Sequence, residues 1–133
     1  MVSSFSRNLD NELKKGKKTY FTDLGIRNAL ISDFSPLSTR SDAGAIWENL
    51  LFMERVKMHD TLRDRKRIFF WRTKTNTPHE LDFIEQRDRS LEAFECELSP
   101  NAQAKPGEAF HRAYPDCLIH VVTPENCLQY LGF

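Results

Sequence analysis

Apolar residues recur at helical spacing over residues 43–59, where Ala43, Ile46, Trp47, Leu50, Leu51 and Met58 make one broad face. That spacing predicts an amphipathic helix, with Ser41 or Asp42 before it to cap the first turn. Further on, the pattern changes to short strand-like runs. Residues 67–72 (Arg-Ile-Phe-Phe-Trp-Arg), 80–85 (Glu-Leu-Asp-Phe-Ile-Glu) and 91–98 (Leu-Glu-Ala-Phe-Glu-Cys-Glu-Leu) are apolar or alternating, with short polar connectors between them. They predict three consecutive antiparallel strands. Residues 118–122 read as a buried strand of the same sheet, and the helix over 43–59 is expected to pack on it.

The rest of the chain reads less sharply. A short helix is expected over 8–15 and a strand over 17–22. Asp23 is placed to cap a helix over 24–31, and residues 32–40, with Ser, Asp and Pro, read as a loop. A helix over 109–114 is stopped by Pro115, and Pro124 opens a last helix. The order of elements implies one α/β (α+β) domain over residues 1–133, a mixed central sheet flanked by helices.

Composition supports a packed core: 40% of the 133 residues are hydrophobic and ten are Phe. Charge sums to zero but is split along the chain. Residues 1–75 carry 15 Lys and Arg against 9 Asp and Glu, while residues 76–133 carry 4 against 10. A basic first half suits phosphate and an acidic second half suits cations, although two solvated faces are the plainer account. The cysteines are Cys96, Cys117 and Cys127, an odd number with no Cys-x-x-Cys, which argues for a reducing, cytoplasmic setting. The N-terminus lacks a signal-peptide apolar run, and no stretch is long enough to span a membrane. Gly16-Lys17-Lys18-Thr19 looks like the end of a phosphate-binding loop but lacks the upstream Gly and the final Ser or Thr of that motif. His59, His79, His111 and His120 have no metal-ligand spacing and read as packing or surface residues.

Strand alternation gives the candidate chemistry. Glu95 and Glu97 share one face, opposite Phe94, Cys96 and Leu98. In the preceding strand Glu80, Asp82 and Ile84 lie opposite Leu81 and Phe83. With the apolar faces aligned, Asp82 is expected to meet Glu95 and Glu97. Carboxylates that close repel unless a cation lies between them, and Mg²⁺ suits such oxygen ligands and activates water. On spacing alone, an amphipathic hairpin with a solvated acidic face is the plainer account.

A set of ordered motifs adds to this reading. They are Tyr20-Phe21-Thr22-Asp23-Leu24-Gly25-Ile26-Arg27-Asn28, Gly44-Ala45-Ile46-Trp47-Glu48-Asn49, Phe69-Phe70-Trp71-Arg72-Thr73-Lys74, Glu80-Leu81-Asp82-Phe83 and Glu95-Cys96-Glu97, with Ser6-Arg7-Asn8-Leu9 upstream. Together they resemble domain-of-unknown-function family 4143, from about Phe5 to the C-terminus. The resemblance implies the PD-(D/E)xK, restriction-endonuclease-like fold and a place beside an AAA+ ATPase domain, in the same chain or another. It also implies Glu48 as a helix acid, Asp82 and Glu95 as Mg²⁺ ligands, and a lysine at position 97. Here that position is Glu97, although some restriction endonucleases of this fold use Glu-x-Glu. Arg72 and Lys74 are candidate nucleic-acid contacts, whereas Trp71 reads as packing. Two functions follow as expectations: a nuclease-like domain with metal-dependent nucleic-acid binding or cleavage, or a catalytically silent docking module. Self-association is a further expectation.

Overall fold

The computed structural model describes residues 1–3, 16–73, 79–103 and 108–132. The helix expected over 8–15 lies outside the described residues, as does Lys74. The described elements are β1 (Val2–Ser3), β2 (Lys17–Lys18), α1 (Leu24–Leu30), α2 (Ala43–Leu62), β3 (Arg67–Arg72), β4 (Glu80–Arg87), β5 (Ser90–Cys96), α3 (Glu108–Ala113), β6 (Leu118–Val122) and α4 (Cys127–Tyr130).

Strands β3, β4, β5 and β6 lie in that order in one sheet, the first three antiparallel and β6 parallel to β5. The mixed sheet is therefore as expected. The β4–β5 hairpin closes through Asp88 and Arg89, with Asp88 in the left-handed region at φ 50°. β1 and β2 form a separate antiparallel pair.

Apolar side chains cover both faces of the sheet. On one face Trp47, Leu51 and Phe52 of α2 pack with Phe70, Phe83, Phe94 and Val122. Phe83 and Phe94 are cross-strand partners whose rings stack at 4.7 Å. On the other face Phe110 and Tyr114 pack with Phe69, Trp71, Leu81, Ile84 and Ala93. Trp71 is buried with its ring edge-on to Phe110 at 5.0 Å, so it serves packing as expected.

Two boundaries and one cap differ most from the sequence reading, and β5 ends at Cys96 where the strand was expected to reach residue 98. The strand expected over 17–22 stops at Lys18, because the backbone of Phe21 is bonded by a side chain instead. Asn49 accepts from the Phe21 N–H (2.8 Å) and donates to its carbonyl (2.7 Å). The long helix runs a turn further, to Leu62, since nothing between His59 and Leu62 breaks a helix. It ends at Arg63, in the left-handed region at φ 52°. Asp42 precedes this helix but makes no side-chain cap, because its carboxylate is held by Arg27 and Arg40. Asp23 does cap α1, accepting from the Ile26 N–H at 3.0 Å.

The largest difference is a bulge in β4. Phe69 pairs with Ile84 but Trp71 pairs with Leu81, so β3 advances two residues while β4 advances three. Leu81 and Ile84 consequently share the α3 side, while Phe83 packs on the α2 side. The expected grouping of Glu80, Asp82 and Ile84 on one face is corrected accordingly.

Candidate functional site

Past the Phe83–Phe94 pair, the Asp82 side chain takes over the link between β4 and β5. Its Oδ2 accepts from the Cys96 backbone N–H at 2.7 Å. Cys96 packs with the α2-side core, so Asp82 is drawn toward α2. There it meets Glu48, from the first half of α2, and the ammonium of Lys18 from β2. Lys18 donates to Glu48 Oε1 at 2.8 Å, is ion-paired with Glu80, and lies 3.7 Å from Asp82 Oδ1. The Tyr20 hydroxyl donates to the same Glu48 oxygen at 2.5 Å, and its ring stacks on Phe52 at 3.9 Å. Arg72 pairs with Glu80, its cross-strand neighbour, at 2.6 Å.

Three carboxylates thus face two cations, which leaves one negative charge over. Asp82 takes up that imbalance. Burial, and then the Glu48 charge, push its carboxyl up to about 7 against the pull of the Cys96 N–H and Lys18. Burial lowers the Lys18 ammonium, but Glu48, Glu80 and Asp82 outweigh it and hold the group above its ordinary value. Burial and Glu48 keep the Tyr20 phenol protonated, well above its usual range. The Cys96 thiol is also pushed up, by burial and then by Asp82 and Glu48, which leaves it a poor nucleophile.

The structure therefore brings together Glu48 and Asp82 but not the other two expected acids. Alternation along β5 turns Glu95 away from Cys96 and Phe94, to the face opposite Asp82. Glu95 and Glu97 line a separate polar depression of about 330 Å³ with Asn101, Ala102 and Gln103. The bulge at Asp82 is the physical reason, since it flips the residue relative to the regular alternation that would have joined the three. A divalent ion held jointly by Asp82 and Glu95 does not fit this donor set. One Asp82 oxygen is bonded to Cys96, the other faces Lys18, and Glu95 is across the sheet. Among the described residues no three His, Cys, Asp or Glu side chains are grouped to hold a metal ion. Arg72, a candidate nucleic-acid contact, is engaged with Glu80 and half exposed.

Lys18, Tyr20, Glu80 and Cys96 complete the cluster and were not singled out by sequence. Lys18 lies 30 residues from Glu48 and 62 or more from the two strand acids, beyond the reach of local spacing. Tyr20 carried a weak signal, as the first residue of a recognisable motif.

Fold and site define a small α/β domain, a mixed four-stranded sheet between helices, with an acidic centre where the long helix crosses a bulged strand. The chain belongs to the family described as Domain of unknown function (DUF4143), whose model matches residues 43–130, about two thirds of its length. That match includes Glu48, Asp82, Glu95 and Glu97, while Lys18 and Tyr20 lie before it. No curated protein and no solved structure matches the chain. No described helix is long and apolar enough to cross a membrane.

Proposed function

We infer that this chain is a docking module for a partner protein domain rather than an efficient phosphodiesterase. The observation that carries this reading is the outward face of α1. None of its residues is buried, and Ile26 (59% exposed) and Leu30 (70%) stand one turn apart on it. Ile31 (51%) and Phe34 (72%) extend the apolar surface beyond the helix. Exposed large apolar side chains close together in the chain are what a partner's apolar surface would cover.

The face is also held in place, which lowers the ordering cost of binding. Asp23 caps the helix, Arg27 pairs with Asp42 at 2.9 Å, and the guanidinium of Arg40 bonds Asp42 and the Asp33 carbonyl. The partner proposed is an AAA+ ATPase domain, in the same chain or another, as the motif resemblance implies. The separation of Asp82 from Glu95 supports docking over hydrolysis, since metal-assisted cleavage needs carboxylates that converge on one ion.

The test combines binding with turnover. Affinity for a purified AAA+ ATPase domain from the same source is measured for the wild type and for Leu30→Glu with Phe34→Glu. The docking reading predicts saturable binding that the double substitution weakens by about tenfold or more, as loss of an apolar anchor does. It also predicts no Asp82-dependent cleavage of single- or double-stranded DNA or RNA in Mg²⁺ or Mn²⁺. Efficient cleavage that Asp82→Ala abolishes, or binding indifferent to the α1 substitutions, contradicts it.

A further inference from the structure

Three carboxylates approach one another where α2 crosses the bulge of β4. Groups so placed repel in a part-buried setting unless a positive charge lies among them. Here that charge belongs to the chain itself. The Lys18 ammonium bonds Glu48 at 2.8 Å, pairs with Glu80, and lies 3.7 Å from Asp82. Its side chain is only 17% exposed, with the Phe70 ring 5.7 Å from the nitrogen. The strand that carries it is anchored independently. β2 pairs with β1, and Val2 of β1 is buried in the α2-side core.

An ammonium has three donors and no lone pair, so it satisfies carboxylate oxygens but cannot ligate a metal. A divalent ion approaching Glu48 and Asp82 would have to expel Lys18 and break its anchored contacts. We propose that Lys18 is the resident cation of the acidic centre: it stands beside Asp82, one of the two acids for which the resemblance implies a divalent metal, it closes the centre to such ions, and its removal frees Glu48, Glu80 and Asp82 to close on one. This goes beyond the docking reading and stands or fails apart from it, since α1 takes no part in the cluster.

Isothermal titration calorimetry with MnCl₂ and thermal unfolding over a range of Mn²⁺ concentrations test the proposal without reference to any activity. The wild type is expected to give no saturable heat and a melting midpoint indifferent to Mn²⁺. K18M is expected to melt lower without metal, to bind Mn²⁺ saturably, and to regain its midpoint as Mn²⁺ rises. Adding D82N to K18M should remove both effects. Saturable Mn²⁺ binding by the wild type that D82N abolishes overturns the proposal, as does a folded K18M that binds no metal. If K18M does not fold, K18M/E48Q, which removes one charge of each sign, is expected to fold. Failure of that double variant assigns Lys18 to packing instead of charge and overturns the proposal equally.

Discussion

Asp82 and Glu85 stand three residues apart on β4, yet their surroundings move their carboxyl groups in opposite directions. Glu85 is buried, and burial alone would raise it. Hydrogen bonds from Arg55 at 2.8 and 2.6 Å and its contact with His59 at 2.9 Å outweigh burial and hold it at about 2. Lys66, at 3.1 Å, adds to the same network. A depressed carboxylate adds stability above its unfolded value of 4.5, and that stability drains as pH falls toward 2. Asp82 has the reverse sign. Its raised value means that stability is fully present below 3.8 and is lost as pH rises toward about 7. Urea unfolding from acid to neutral pH should therefore show two opposed slopes. Asp82→Asn should flatten the upper one and leave the lower. Glu85→Ala strands Arg55 in the interior and should cost roughly 3–5 kcal/mol at neutral pH. A loss below about 1 kcal/mol would mean that the network is as weak as a surface pair.

At the scale of elements, what sequence revealed was what periodicity controls. The helix face with Ile46, Trp47 and Leu51 and the three strands with their aromatic residues were legible, because each buries a face whose period is fixed by backbone geometry, although Leu50, read as part of the helix face, lies at its edge and is 39% exposed. The bulge was not. A single extra residue between Leu81 and Ile84 leaves no mark in composition, and it decided which acids meet. The end of β2 was hidden for a related reason: Thr19-Tyr20-Phe21-Thr22 has strand-like residues, but Asn49 replaces the strand partner. Asn49→Ala removes both bonds to Phe21 at once. It should lower stability by about 1–3 kcal/mol and abolish amide-exchange protection at Phe21, with the sheet amides unchanged. Retained protection at Phe21 would show that some other contact holds this segment.

Across the whole molecule, the split of charge along the chain becomes a set of contacts between its halves. Lys18, Arg55, Lys66 and Arg72 come from the basic half, and they pair with Glu80, Asp82 and Glu85 of the acidic half. All three acids lie on β4, so this strand gathers the cations of both flanking regions. At β4 the asymmetry that suggested phosphate on one side and metal on the other is satisfied internally. The apolar residues of α1 stay outward, and so do charges such as Arg63, Arg65 and Arg67. Closure of the acidic centre by its own lysine is read directly by anomalous diffraction from crystals of the wild-type chain soaked in MnCl₂. The Lys18 ammonium is expected within hydrogen-bond distance of Glu48 and Glu80, with no manganese peak among them. A peak coordinated by Glu48 and Asp82, with Lys18 displaced, would contradict it.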